Sequence, residues 1–297
     1  MSSMNHDSAI NSPLMGTEPT QIPLPPSLPS TEEPLRQTDE MLSELEQIAQ
    51  QLNSEDSYTP PETECRYPEK FRLSIVMPVF NESQTIRQII ARLLALKIPK
   101  EIIVVDDGSQ DGTREILQHL ADLPELRVVL KPVNQGKGSA VRTGFEQATG
   151  DVVLIQDADL EYDPRDIPQL LDPILKRQSN IVYGSRFLTN RWTGSSKLHR
   201  LGNRLLTKLS NLTTGLRLTD METCYKVFRK EVITDLSIHQ DRFGFEPEIT
   251  AKVARRGHKI IELPVRYSAR DWSEGKKIGI KDGIETVFCI LRYAFCD

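Results

Sequence analysis

Hydrophobic positions alternate along most of the chain between short, unbroken β-branched runs and longer stretches with helical spacing. Leu73 to Phe80 and Glu101 to Asp106 are compact apolar runs. Each is followed by polar or turn residues and then by a three- and four-residue periodicity, at Glu82 to Leu96 and Asp111 to Leu120. Further strands are predicted at Arg127 to Leu130, Asp151 to Gln156 and Asn180 to Gly184, with helices at about 137 to 148 and 165 to 176. Such alternation means parallel strands joined by crossover helices, so the expected fold is α/β, a doubly wound, mostly parallel sheet with flanking helices. In these sheets ligands sit beyond the carboxyl ends of the strands, and the residues just after each strand become the candidates for function.

Both ends of the chain break this rhythm. From Ser12 to Pro34 the residues are mainly Pro, Ser, Thr and Gln, with too little apolar side chain to offset the entropy of ordering, which predicts disorder. Leu42, Leu45, Ala49 and Leu52 then recur at helical spacing and predict a short amphipathic helix near 37 to 52. Asn53 to Glu69, with Pro60-Pro61, reads as a linker. The expected division is therefore an acidic, Pro-rich tail over 1–70 and one domain over 71–297. At the far end Ile284, Val287, Phe288, Leu291 and Phe295 repeat at helical spacing. Core packing is the first reading of that helix. An interfacial helix is the second, because Arg266, Arg270, Lys276, Lys277 and Lys281 precede it.

Charge sharpens the division. Of 42 acidic and 37 basic residues, residues 1 to 70 hold 13 and 3, which leaves 29 and 34 for the remainder. A net charge of −5 thus hides an acidic tail beside a mildly basic domain, a balance that suits an anionic substrate or bilayer better than nucleic acid, for which no partner is expected. Cys65, Cys224, Cys289 and Cys296 are scattered, with no C-x-x-C pair, and read as reduced thiols. There is no secretory leader pattern and no run of 18 apolar residues, so a cytoplasmic protein is expected, peripheral at the cytoplasmic membrane face at most. The sequons at Asn81 and Asn211 are then chance matches.

Three strand ends carry polar clusters: Pro78-Val79-Phe80-Asn81-Glu82, Asp106-Asp107-Gly108-Ser109 and Asp157-Ala158-Asp159-Leu160-Glu161. An isolated D-x-D is usually a turn or a helix cap. Three clusters on one sheet edge are a different matter, because paired carboxylates there repel and call for a divalent cation. Mg²⁺ or Mn²⁺, bridging carboxylates to a diphosphate, fits oxygen ligands best. Phosphate-loop enzymes are disfavoured, since neither G-x-x-x-x-G-K-[ST] nor G-x-G-x-x-G occurs. The stretch Asn134 to Gly138, leading into a helix, is expected to present backbone N–H groups to the strand-end cleft. His199, His239 and His258 lie outside the clusters and are given no role.

LSIVMPVFNES, EIIVVDDGSQDGT, NQGKGSAVRTGFEQATGD, DADLEYDP and YGSRF, in this order, resemble the family 2 glycosyltransferases of the GT-A fold. DMETCYKVFRKEV, FGFEPEITAKVARRGHKIIELPV and EGKKIG are similar to the dolichyl- or polyprenyl-phosphate mannosyltransferase and glucosyltransferase branch. The resemblance covers Arg72 to Tyr293. It implies that Pro78, Phe80 and Glu82 contact the donor nucleotide and that Val105 with Asp106 or Asp107 reads the base. Asp157 and Asp159, with Ala158 between them, would hold metal and donor diphosphate, with Glu161 as a third ligand. Arg186 and Lys277 would face phosphate groups. The implied activity is metal-dependent, inverting transfer of mannose or glucose from GDP-mannose or UDP-glucose to polyprenyl phosphate, with a membrane-protein partner for a chain lacking its own anchor. Thr223-Cys224 departs from the small residues usual in the mannosyl branch, so the acceptor-side loop is expected to differ. A soluble acceptor and a non-catalytic nucleotide-sugar-binding scaffold are the alternatives.

Overall fold

A computed structural model describes residues 32–56, 58–61, 63, 65–188, 192–193, 197–270 and 280–295. Most of the stretch expected to be disordered, Lys277 and the 276–277 basic pair therefore lie outside the described residues.

The predicted βα alternation is present: β1 (Leu73–Val79), α2 (Ile86–Leu94), β2 (Lys100–Asp106), α3 (Thr113–Leu120), β3 (Leu126–Leu130), α4 (Lys137–Gln147) and β4 (Val152–Ile155) follow one another. After a 3₁₀ turn at Pro164–Asp166 come α5 (Ile167–Leu175) and β5 (Ile181–Ser185). Residues 73–77 and 102–105 are buried on both faces, as parallel strands sandwiched between helix layers must be. Helices α2 and α3 begin four and two residues later than their periodicity suggested. The intervening residues are spent on turns that tie strand ends together.

The second half is less regular. The short strand β6 (Trp192–Thr193) leads to α6 (Lys197–Thr214), then β7 (Lys226–Arg229), α7 (Lys230–Thr234), α8 (Phe245–Arg255), β8 (Ile260–Pro264), β9 (Tyr267–Ser268) and α9 (Ile280–Phe295). The main sheet has the order β3-β2-β1-β4-β7-β5-β8. All neighbours are parallel except β7, which runs antiparallel to both β4 and β5. Strands β6 and β9 form a separate two-stranded sheet.

The amphipathic N-terminal helix is longer than predicted, α1 running Glu32–Ser54. Leu45 and Ala49 are almost fully buried in the same core as the sheet, and the helix lies on α2. Burying one such Leu contributes roughly 1.5–3 kcal/mol. The segment expected to be a linker is docked too. The Asp56 carboxylate accepts from Arg165 (2.7 Å) and from Arg266, the Tyr58 hydroxyl donates to Asp166, and both guanidinium groups stack on the Tyr58 ring.

In α9 the residues read first as core are mostly the exposed ones. Thr286, Cys289, Ile290 and Tyr293 face inward, whereas Ile284, Phe288 (75% exposed), Leu291 and Phe295 face out. Helix α6, packed beside it, exposes Leu198 (78%), Leu201, Leu205 and Leu212. Periodicity identifies an apolar face but does not say what covers it.

Candidate active site

A cavity of about 680 Å³ opens at the carboxyl ends of β1, β2, β4 and β5, within the range that holds small-molecule ligands. Pro78, Phe80, Glu82, Asp107, Asp157, Ala158, Asp159, Glu161 and Arg186 line it; Val105 and Asp106 do not.

The first two clusters are stitched to each other. Asn81 adopts the left-handed region (φ 53°), which Asn tolerates better than most residues, and this turns its side chain to accept from the Gln110 N–H at 2.8 Å. Its own N–H donates to the Ser109 hydroxyl, the Glu82 N–H to the Thr113 hydroxyl and the Ser83 N–H to Asp111. Burial pushes the Asp111 carboxyl up, but the Thr113 and Ser83 donors outweigh it and hold it at about 2. The acids of this motif therefore have separate duties. Asp106 is fully buried and takes a forked pair from Arg114, with Nη2 2.8 Å and Nε 3.0 Å from Oδ2. Asp107 reaches the cavity rim, where it accepts from Lys131 Nζ (2.6 Å) and from the N–H groups of Gln135 and Gly136.

That last contact alters the reading of Asn134 to Gly138. Two of its N–H groups are consumed by Asp107 rather than presented to a ligand. Gly136 is required here: its φ is +106°, and an added Cβ would lie 2.4 Å from the Asp241 carbonyl oxygen. The turn delivers the Lys137 side chain into the cavity. Its Nζ stands 2.9 Å from Asp157 Oδ1 and 3.0 Å from Glu246 Oε1. Burial lowers the Lys137 pKa, but the two acids outweigh it and hold the ammonium firmly charged. Lys137 in turn keeps Asp157 ionised against the opposing effect of burial.

Asp159 faces the opposite situation. Burial, then the charges of Asp157 and Glu161, push its carboxyl up to about 8, although Arg270 draws it down. The Arg270 guanidinium sits among three acids: Nη2 is 2.9 Å from Asp159 Oδ2, Nη1 is 2.9 Å from Glu82 Oε2 and Nε is 3.8 Å from Glu161 Oε1. Glu161 also accepts from the Arg270 N–H (2.9 Å) and the Tyr267 hydroxyl (2.7 Å). Among the described residues no three acids converge as a ready-made metal cage. The donor set nevertheless suits a hard divalent cation, being carboxylate oxygen throughout. Burial and the set's surplus negative charge together lift Asp159, and Arg270 offsets that charge.

Arg186 lines the cavity as expected, but its charge is not directed at open space. Nε and Nη2 each lie 2.7 Å from the fully buried Asp220, and the guanidinium stacks 5.0 Å from the Tyr267 ring centroid. Lys277 lies outside the described residues. The sequence reading missed Lys137, Glu222, Glu246 and Arg270. Lys137 lies within the Asn134 to Gly138 stretch, of which only the backbone N–H groups were expected to face the cleft, and Arg270 reads from sequence as one of the basic residues preceding the C-terminal helix.

A mostly parallel sheet whose strand exits converge on a D-x-D and a row of counter-charged acids defines a glycosyltransferase of the GT-A fold. The chain belongs to glycosyl transferase family 2, whose model matches residues 74–237. It is 33% identical over 210 residues to the undecaprenyl-phosphate 4-deoxy-4-formamido-L-arabinose transferase of Edwardsiella ictaluri, covering 69% of this chain and 62% of that one. It is 30% identical over 230 residues to the dolichol-phosphate mannosyltransferase of Pyrococcus furiosus, covering 75% and 63%. The chain thus spans somewhat under two thirds of the length of each. Among solved structures, glucosyl-3-phosphoglycerate synthase from Mycobacterium tuberculosis, bound to Mn²⁺ and UDP-glucose, shares the fold with a TM-score of 0.61 at 18% identity, covering 86% of this chain and 84% of that one.

Proposed function

We propose that this chain is an inverting, metal-dependent hexosyltransferase that moves mannose or glucose from a nucleotide sugar to polyprenyl phosphate at the cytoplasmic face of a membrane. One observation carries the reading. The cavity lined by Asp157, Asp159 and Glu161 is also lined by Leu198, Gly202 and Leu206 of α6 and by Gly283 and Thr286 of α9, the two helices that expose apolar stripes. A donor diphosphate suits the first set of residues and a lipid-borne acceptor the second. The basic side chains of Arg204, Lys208 and Arg292 lie on these same two helices, a combination that favours an anionic bilayer. No described helix is long and apolar enough to cross a membrane. The two relatives act, by name, on undecaprenyl or dolichol phosphate, and the structural neighbour holds Mn²⁺ with UDP-glucose.

In this reaction a phosphate oxygen of the acceptor forms the new bond to the anomeric carbon as the bond from that carbon to the diphosphate breaks. The diphosphate leaves with the electron pair, and the configuration inverts. The acceptor phosphate is already an anion, so no general base is required. Asp157, Asp159 and Glu161 would hold Mg²⁺ or Mn²⁺, which supplies positive charge to the leaving diphosphate. Lys137 holds Asp157 ionised and in place. Arg270, paired with Asp159 and Glu82, is the counter-ion of these acids and would add positive charge on the same side of the cavity. Pro78, Phe80 and Asp107 form the rim against which the nucleoside would lie.

The test is nucleoside diphosphate release from UDP-glucose and from GDP-mannose with Mg²⁺ or Mn²⁺, with and without polyprenyl phosphate in vesicles. Lipid-dependent release is expected. Release that responds only to a water-soluble phosphate would replace the lipid acceptor with a soluble one, and tight donor binding without release would make the chain a scaffold.

A further inference from the structure

Beside Asp157, across Lys137, the cavity has a second set of acids. Glu222 lies in the turn between α6 and β7, and Glu246 in the first turn of α8. Both line the cavity, and Glu222 Oε1 and Glu246 Oε2 are buried atoms with no hydrogen-bond partner among the described residues. Leaving a buried carboxylate oxygen unpaired is costly, which marks a place where a ligand supplies the missing donor.

Both acids are held there by structure that does nothing else for the cavity. Lys226 is fully buried beneath Glu222. Its Nζ donates to the carbonyls of Met221 (2.8 Å) and Thr223 (2.5 Å) and sits 4.3 Å from the Tyr183 ring centroid, pinning the turn that carries Glu222. In α8 the two acids of FEPE have opposite fates. Glu248 is fully buried and used up by the N–H groups of His239 (2.8 Å) and Gln240 (2.7 Å) and by Lys252 Nζ (2.9 Å). Glu246 turns to the cavity and shares Lys137 with Asp157.

Taking the donor site above as read, we infer that Glu222 and Glu246 form the subsite for the transferred sugar and hydrogen-bond its hydroxyl groups, setting which sugar is accepted independently of the nucleotide. The Glu246 carboxylate repels phosphate, and its ion-pair partner, Lys137, is shared with Asp157, so neither the diphosphate nor the acceptor phosphate belongs on this wall. A neutral ring bearing several O–H donors satisfies both orphan oxygens. Lys137 ties the wall directly to Asp157, which places the subsite next to the diphosphate, where the sugar of a nucleotide sugar must lie. Burial and the neighbouring Glu246 charge push the Glu222 carboxyl up to about 8. At neutral pH Glu222 then donates as well as accepts, and the pair matches both sides of a hydroxyl.

The full chain with Mn²⁺ is titrated calorimetrically with UDP and GDP alone and with UDP-glucose and GDP-mannose. Wild type is compared with Glu222→Ala and Glu246→Ala, and with the shape-preserving Glu222→Gln and Glu246→Gln. The diphosphate affinity should stay within about 3-fold of wild type, while the ratio of nucleotide-sugar to diphosphate affinity falls about 10-fold or more in the alanine variants and less in the glutamines. In variants that keep the wild-type melting temperature, equal loss for diphosphate and nucleotide sugar, or no loss for either, overturns the subsite. So does a fall in kcat with sugar binding intact, which would make either acid a base acting on the acceptor. If wild type binds neither UDP nor GDP, the donor site itself fails, and that result appears before any variant is made.

Discussion

The two halves of the sheet solve different problems. In β3-β2-β1-β4 every strand is parallel, and the turns at the β1 and β2 exits are stitched by partners within a few residues or on the adjacent exit, Asp111 by Thr113 and Asn81 by Gln110, although Glu82, Asp159 and Glu161 also meet Arg270 from the far end of the chain. In β7-β5-β8 a reversed strand lies between two others; Glu222 sits in the turn that enters it, and Glu246, on α8, meets Lys137 from α4. On the proposed function, the donor-side motifs are thus mostly local, whereas the surfaces proposed for sugar and acceptor arise from long-range packing. A substitution in the first half should therefore act on metal and diphosphate, and one in the second half on what is transferred and to what.

The strongest challenge to that division is Asp157→Ala or Asp159→Asn. Either should cut nucleoside diphosphate release by about 10²- to 10³-fold or more, whatever acceptor is supplied. Retained turnover would remove the metal from the donor half. Acidity offers the next test. On the proposed function a cation would need Asp159 ionised, and its carboxyl is pushed up to about 8 by burial, Asp157 and Glu161. Mn²⁺ affinity should rise with pH by up to about tenfold per unit below pH 8 and level off above it, read by paramagnetic resonance of free Mn²⁺. The stability linkage has the same origin. The native state holds this proton more tightly than the unfolded chain, so the metal-free protein loses this group's stabilisation as pH rises from about 4 to about 8.

Arg270→Ala separates a counter-ion from a simple ligand. Without nucleotide it should bind Mn²⁺ about 10-fold more tightly, because Asp159 and Glu82 no longer need releasing from the guanidinium, and yet turn over more slowly. Weaker metal binding would mean that Arg270 supports the metal site rather than competing with the metal. In the acceptor half, Phe288→Ser should lower binding to anionic vesicles about 10-fold, measured by flotation, with affinity for nucleoside diphosphate unchanged. The smallest effect belongs to Asp56→Asn, far from both functions, at about 1 kcal/mol of stability by denaturant titration. Burial raises the Asp56 pKa, but the Arg266 hydrogen bond and the other donors outweigh it, so the net shift is downward. Its contribution is present above the ordinary carboxylate range and is lost as pH falls through the lowered value.

The same local-versus-distant contrast explains what could be read from the amino acids. The first five strands, their helices and the cavity-lining Pro78, Phe80, Glu82, Asp107, Asp157, Asp159 and Glu161 follow from short-range patterns. Arg270 does not. It meets Glu82 from 188 positions away, through the pairing of β9 with β6 and an isolated bridge from Tyr162 to Tyr267. Glu246 and Glu248 sit two apart in one motif, and only the packed surroundings separate the cavity residue from the structural one. Arg186 was legible as a site residue, but its partner Asp220 was not. The α9 stripe was legible as apolar, whereas its exposure depends on where α6 and α8 fall.

Strand β7 has a consequence for how the chain is made. It is synthesised after β5 yet belongs between β5 and β4, so Val152–Ile155 and Ile181–Ser185 emerge with facing edges unpaired until Lys226–Arg229 is available. Unpaired edges are templates for pairing with other chains, and closing the sheet's centre with a strand made so late makes for slow, non-local folding. A ribosome stalled before residue 230 would release a chain prone to aggregate, which makes that interval the natural point for chaperone capture.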